Sequence, residues 1–407
     1  MKDLKSNRRS FLGKAAKIAG LLSVANLPVL RAEVQHKGVA DDPEHKFLTK
    51  PYLQNPLHGE ITVRFMTNKP TYSWVKYGLD ESLKSSAETV KLGLVEANNR
   101  IHAITLRNLE PGKKYYYKVL SKDFFEYKPY DVVFGNTIES EMYSFTAPDM
   151  KKEEFSMLVL NDIHERPDAI EQHIGLHGNA PLDMVFFNGD IFNFQTDENQ
   201  IIEKMIDPCT ASFATHKPFL FVRGNHETRG KFARRLPDYF DNIDHAPYFT
   251  FSRGSTFFIC LDSGEDKADN HKQYFGLAAF DAYREKQAEW LEQQLESEAY
   301  KKAKYRIVLI HIPLYHFHRD PPGVAHCRKV FGPLLNKYKI DLMISGHTHR
   351  YGFHEAEKGR HNYPIMIGGG PNLGTRTQIH VVVDKEKLAV VMKKDDGEVL
   401  HRYEVKG

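Results

Sequence analysis

Ser156–His164 reads SMLVLNDIH, and the reading of this stretch decides the fold. Met157, Leu158, Val159 and Leu160 are an unbroken apolar run, the pattern of a strand covered on both faces. Asn161, Asp162 and His164 follow at its tip. The texture recurs downstream: DMVFFN runs into Gly189-Asp190, and PFLFVR into Gly224-Asn225-His226-Glu227. YRIVLI then runs into His311, and DLMIS into Gly346-His347-Thr348-His349. Apolar strands alternating with helix-like stretches describe an α/β domain over residues 153–407. REKQAEWLEQQLESEAYKKA is its clearest helix, with Trp290, Leu291 and Leu295 at helical spacing. The tail reads as strands joined by turns at Asp384-Lys385 and Asp395-Asp396-Gly397.

Residues 47–148 have another texture. GEITVRFMT, SWVKYG, RIHAITLRNL, KKYYYKVL and MYSFTA are short runs rich in β-branched and aromatic residues. Turn formers separate them at Asn68-Lys69-Pro70, Gly78-Leu79-Asp80 and Glu110-Pro111-Gly112. Short strands at this spacing predict an all-β sandwich of the fibronectin III or immunoglobulin type. The expected fold class is thus an α/β domain preceded by a β-sandwich, which suits a 407-residue chain too long for one ordinary core.

Lys and Arg total 56 against 53 Asp and Glu, a net charge of +3. This balance implies no dedicated nucleic-acid surface. The 3 cysteines, Cys209, Cys260 and Cys327, lie far apart and spell neither a zinc ribbon nor a disulfide framework. At the N-terminus, SNRRSFLGKAA places Arg8 and Arg9 before a mildly apolar run, over residues 1–32 with cleavage near Ala32. The segment resembles a bacterial twin-arginine export signal, implying passage through export machinery to the periplasm or the exterior. A basic tail with a chance arginine pair is the alternative.

Open α/β sheets bind ligands at the carboxyl ends of their strands, so these tips should converge. Carboxylate, imidazole and amide oxygen without thiolate suit borderline divalent ions: Mn, Fe, Zn or Co. Glycines before Asp190, Asn225 and His347 let the backbone turn and approach closely. Asp162 and His164, two apart on an extended segment, would share one face and grip one ion. Each motif alone is weak, and His311 alone reads as a structural histidine. The ordered set is what carries the inference.

That series, Asp-x-His, Gly-Asp, Gly-Asn-His-Glu, His and Gly-His-x-His, resembles the calcineurin-like metallophosphoesterase superfamily. The upstream segment, with KPYLQNP at Lys50–Pro56, ITVRFMTN and WVKYG, resembles the N-terminal domain of purple acid phosphatases. The resemblance implies a two-sheet α/β sandwich and two divalent metal ions. Asp162, His164, Asp190 and His349 would hold one; Asp190, Asn225, His311 and His347 would hold the other, with Asp190 bridging. A hydroxide between the ions would attack a small-molecule phosphate ester. His226 would face the phosphoryl group as general acid or charge stabiliser, and Glu227 would orient the loop or cap a helix. Where purple acid phosphatases place a metal-binding tyrosine, this chain has Asn193, and it adds His164 to the first motif. The implied centre is non-purple.

His316 and His318, with Arg319 and His326, could contact substrate or form a solvated loop. Arg223 could pair with a carboxylate in the sheet, and GGGPN (Gly368–Asn372) could border the metals or merely turn. The favoured function is an exported phosphomonoesterase. A phosphodiesterase of the same fold and a non-catalytic extracytoplasmic binding protein stay open.

Overall fold

The structure, a computed structural model, describes residues 44–407; the arginine pair and the expected cleavage position lie outside them.

The hub of the N-terminal domain is the 19-residue strand Glu60–Gly78. Its first half pairs with Tyr52–Leu57 and with Asn99–Leu106. Its second half pairs with Lys114–Lys128. The turn expected at Asn68-Lys69-Pro70 is instead a change of partner inside one extended strand, with a register shift between Met66 and Thr71. Pro70 lies in that gap, where its missing N–H costs no ladder bond. The partner change folds one 7-stranded ladder into two facing layers around Val63, Phe65, Val75, Ile104, Tyr117 and Phe145. Asp131–Glu139 is a strand the sequence hid: its DVVFGNTIE shows no apolar alternation, and its pairing with Lys114–Lys128 is bulged near Phe124.

The second domain stacks two mixed 6-stranded sheets. The first runs in the order Phe219–Val222, Met184–Asn188, Phe155–Leu160, Thr377–Val383, Lys387–Lys394 and Val399–Lys406. The second runs Phe249–Arg253, Thr256–Leu261, Tyr305–Ile310, Leu342–Ser345, Ile365–Ile367 and Gly352–His354. Alternation divides each strand between two cores. Met157, Val159, Phe186 and Leu220 meet Phe258, Cys260, Ile307 and Leu309 between the sheets. Leu158, Leu160, Val185 and Phe187 face outward, sharing a cluster with Ile170 and Cys209 from the helices Pro167–His177 and Asp207–Ser212. Ile259, Leu261, Val308 and Ile310 pack on the other side with Leu291 and Phe331, from helices Phe280–Leu295 and Pro322–Lys337. Coverage on both faces is why these strands read as continuous apolar runs.

The helix expected over Arg284–Ala303 begins at Phe280 and breaks at Glu296. A second short helix, Glu298–Lys302, starts where Ser297 accepts from the Tyr300 N–H. The turns of the C-terminal strands fall as expected. The sandwich is clamped to the second domain. Tyr52 donates to Tyr239 O at 2.8 Å, Tyr117 to Thr215 O at 2.7 Å, and Arg100 pairs with Glu198 at 2.6 Å.

Strands Phe155–Leu160, Met184–Asn188 and Phe219–Val222 are parallel, as are Thr256–Leu261, Tyr305–Ile310 and Leu342–Ser345. The sheets are joined at their carboxyl ends: Asn188 donates to Ile310 O and Ile344 O, both at 3.3 Å.

Candidate metal centre

The loop after Leu160 is laid along the loop after Asn188 by backbone hydrogen bonds. Asp162 N donates to Gly189 O, His164 N to Asp190 O and Glu165 N to Ile191 O, at 3.1, 3.0 and 2.7 Å. Asp162 and His164 are not extended, contrary to the sequence expectation: their φ values are +54° and +49°. Asp190, His347 and His349 share this left-handed backbone at +55°, +68° and +56°. Non-glycine residues there cost about 1–3 kcal/mol each, and such strain gathers at functional sites. The close approach expected at the glycines is present. A Cβ on Gly224 would lie 2.2 Å from Asp190 Oδ1, and one on Gly346 would lie 2.5 Å from Asp162 Oδ2.

Asp162 Oδ1 lies 3.3 Å from His349 Nε2 and 3.8 Å from His164 Nε2. Asp190 Oδ2 lies 3.0 Å from His311 Nε2 and 3.8 Å from His164 Nε2. Within this set, Asp162, His164 and His349 form one compact donor group, and Asp190, His311 and His347 another. Asn225 is buried beside them, its neighbour His226 donating its N–H to Asp190 Oδ1 at 3.0 Å.

The donors are oriented from behind. His164 Nδ1 lies 3.0 Å from Asn193 Oδ1, and His311 Nδ1 lies 2.7 Å from Asn188 O. Each contact places the proton on Nδ1 and leaves Nε2 as an electron-pair donor. Asp162 Oδ2 accepts from the His347 N–H at 2.8 Å and from Asn161 at 2.5 Å. His164 Nε2 and His349 Nε2 lie 3.0 Å apart, and four other donor atoms have no partner. Asp162 Oδ1, Asn225 Oδ1, His311 Nε2 and His347 Nδ1 are buried without a hydrogen bond. Orphaned donors of this chemistry, aimed together, fit a pair of divalent cations.

Electrostatics agree. Burial works against charge on Asp190, yet His311 holds its carboxyl down at about 2. Burial likewise opposes the His311 imidazolium, but Asp190 raises it to about 10. The field that pulls a proton onto His311 would hold a cation in its place. Burial and His311 keep His347 neutral, with a pKa of about 3, the form a ligand needs.

Glu227 orients the loop. Its carboxylate accepts from the N–H groups of Asp190, Ile191, Phe192 and Gly224 at 2.6–3.0 Å. Burial and Asp190 push its carboxyl up, opposed by these donors. His226 is a quarter exposed, its Nε2 4.0 Å from Asp190 Oδ2. Its Nδ1 meets Asn193 O at 2.7 Å, and its Nε2 accepts from Arg229 Nη1 at 3.0 Å. Arg229 is itself held by Glu265 through two bonds of 2.8 Å.

The structure therefore gathers Asp162, His164, Asp190, Asn225, His226, His311, His347 and His349. His316 and His318 are not among these donors: His316 stacks on His354, and exposed His318 meets Arg350. Arg223 pairs with Asp262 at 2.6 Å. The Gly368–Asn372 loop borders the site, Gly369 O accepting from Asn161 and Gly370 lying against His349. His326, on the helix Pro322–Lys337, faces Asp281 on the helix Phe280–Leu295. Sequence reasoning missed Arg229, Glu265 and the orienting role of Asn193. Of these, only Asn193 carried a signal, its place in the Gly-Asp motif.

Residues 155–351 match the family of calcineurin-like phosphoesterases, and residues 50–147 match the purple acid phosphatase N-terminal domain. A purple acid phosphatase of Glycine max is 25% identical over 310 residues, covering 72% of this chain and 62% of its own length. Acid phosphatase type 7 of Mus musculus is 25% identical over 361 residues, covering 81% of this chain and 75% of its own. A purple acid phosphatase structure from yellow lupin (Lupinus luteus) seeds shares the fold, with a TM-score of 0.65 at 17% identity, over 88% of this chain and 74% of that one.

Proposed function

We propose, from a chain that carries a calcineurin-like phosphoesterase domain behind a purple acid phosphatase N-terminal domain, that this protein is an exported phosphomonoesterase working with two divalent cations. The pairing of these domains is that of metal-dependent phosphoric ester hydrolases. One observation carries the reading: carboxylate, amide and imidazole donors converge, with Asp162 Oδ1, Asn225 Oδ1, His311 Nε2 and His347 Nδ1 buried and unpaired.

Asp162, His164 and His349 would hold one cation, Asn225, His311 and His347 the other, and Asp190 both. Such a pair supplies Lewis-acid charge and lowers the pKa of bound water toward neutrality. The protein's own part is positional. Asn193 and Asn188 hold His164 and His311 in one tautomer, and Glu227 locks the two loops that carry Asp190 and Asn225. Arg229 presents N–H groups at the exposed edge of the donor set, beside His226, whose Nδ1–H is held by Asn193 O. There they would bind phosphoryl oxygens as negative charge builds. Beside Arg229 an open groove of about 990 Å³, lined by Lys267, Tyr274, Phe275, Leu277 and Tyr283, has room for a leaving group. Asn193 is neutral where a phenolate would give a charge-transfer band, so the centre would not be purple. The Arg8-Arg9 segment supports export by the twin-arginine route.

Hydrolysis of nitrophenyl phosphate and bis-nitrophenyl phosphate by protein reconstituted with Mn, Fe, Zn or Co tests this. The expected result is metal-dependent turnover favouring the monoester. Preference for the diester would replace the substrate class, and no turnover with any metal would favour the binding-protein alternative. Retention of the protein in the cytoplasm after Arg8→Lys/Arg9→Lys substitution tests the export route; unchanged export would refute it.

A further inference from the structure

A second group of imidazoles forms where the loop after His311 meets the hairpin Gly352–His354/Ile365–Ile367. His361 is fully buried, and its Nδ1 lies 2.7 Å from Tyr363 O. Nδ1 therefore carries the proton, and Nε2 presents its electron pair. His316 Nε2 lies 2.8 Å from that atom, with the two ring planes at 86°. Glu357 and His361 pair across a tight antiparallel bridge, Glu357 N to His361 O at 2.9 Å and His361 N to Glu357 O at 3.0 Å. Directly paired residues send their side chains to one side. The donor atoms of His316, Glu357 and His361 all lie within 4.8 Å of one another.

We propose that His316, Glu357 and His361 form a third, mononuclear site for a zinc-class divalent cation, separate from the dinuclear centre. Two imidazoles and a carboxylate, with a water in the remaining position, are a recurrent tetrahedral zinc set. Metal–nitrogen bonds of about 2.0–2.1 Å would spread the two Nε2 atoms to about 3.3 Å. His316 lies on a partly exposed loop that can give this movement. Glu357 would exchange its 2.5 Å contact with the exposed Arg360 for the ion. His354 walls the site without coordinating. Its ring is stacked on His316 at 3.7 Å and 6°, so no ion can lie in both ring planes.

The ion would act as a clasp. Phe317, next to His316, stacks on the His347 ring with centroids 5.0 Å apart, and His318 meets Arg350, next to His349. Fixing His316 to the hairpin fixes the loop that packs on a donor of the dinuclear centre.

Cobalt titration of the full-length Asp162→Ala/Asp190→Ala chain isolates this site from the dinuclear one. The expected result is one Co²⁺ per chain with the intense visible bands of a tetrahedral ion. Adding Glu357→Gln or His316→Gln, both at accessible positions, should weaken binding by at least about tenfold. The same two substitutions in the otherwise unaltered protein should lower its metal count by one ion, which covers the case of a double variant that does not fold. No cobalt in the double variant while it is folded by circular dichroism, or binding and counts indifferent to both substitutions, would overturn the proposal. The imidazoles would then simply hydrogen-bond to each other. Because the first experiment removes both carboxylates of the dinuclear centre and Glu357→Gln or His316→Gln reports on this site alone, its outcome is independent of the phosphoesterase reading.

Discussion

In the β-sandwich, buried His102 has its Nε2 3.0 Å from Thr67, 3.2 Å from Thr71 and 3.3 Å from Ser73 hydroxyl oxygens. At the tips of the second domain, buried His311 has its Nε2 aimed at Asp190 and makes no hydrogen bond through it. Burial alone does not separate the two imidazoles. Their surroundings do. A hydroxyl rotates to donate or accept, so the sandwich satisfies its histidine from within the protein. Carboxylates, an amide oxygen and neutral imidazole nitrogens accept, so the centre between Asp162 and Asn225 is rich in acceptors, which a pair of cations completes. The first cluster should hold the fold together, and the second should hold an ion at the expense of the fold.

The largest effect that could break this contrast is at Asp190. Asp190→Ala should reduce kcat/KM for nitrophenyl phosphate by at least about 10³-fold, about 4 kcal/mol of transition-state stabilisation. Divalent cation should meanwhile raise the melting temperature of wild type and leave that of the variant unchanged, because a ligand that binds only the folded chain stabilises it and Asp190 belongs to both donor groups. A variant that kept the cation-dependent rise would put Asp190 in the structural class with His102.

Asn193→Ala sharpens the same contrast one layer out. With the His164 tautomer no longer fixed, metal affinity should fall about 10–100-fold by competitive chelator titration, while the far-ultraviolet spectrum stays unchanged. In the sandwich, His102→Leu should do the opposite. It should lower unfolding stability by about 1–3 kcal/mol in denaturant titration and leave kcat of the metal-loaded enzyme unaltered.

The smallest effect, taken per pH unit, is one of pH. Burial, reinforced by His45, holds His102 down at about 3 against an ordinary 6.5. The unfolded chain therefore binds the proton first as pH falls. The stability contributed by neutral His102 is complete above pH 6.5 and is lost between there and pH 3. Its share of the slope is about 1.4 kcal/mol per pH unit. His102→Leu should flatten the stability curve of the metal-free protein by that amount in this window, and an unchanged slope would contradict the assignment.

Much of the centre was legible because each donor follows its own apolar strand within a few residues, so strand and ligand are read in one glance. The parts that escaped depend on distant contacts or on backbone geometry. Arg229 reaches His226 only because Glu265, 36 residues away, holds it. Asp162 and His164 converge through left-handed turns laminated onto Gly189–Ile191, not through extended alternation. His316 follows His311 closely in the chain, yet the loop carries it to His361 instead. In the sandwich, Pro70 looked like a strand end because a proline cannot donate. The chain uses it where the strand changes partners and no donor is wanted.

Anomalous diffraction from crystals of the manganese-reconstituted protein tests the central claim most directly. Two peaks flanking the Asp190 carboxylate, about 3.5–4 Å apart, are the result expected if the orphaned donors serve a pair of cations. Density showing the Asp190, His311 and Asp162 side chains hydrogen-bonded to water alone, with no anomalous signal between them, would contradict it.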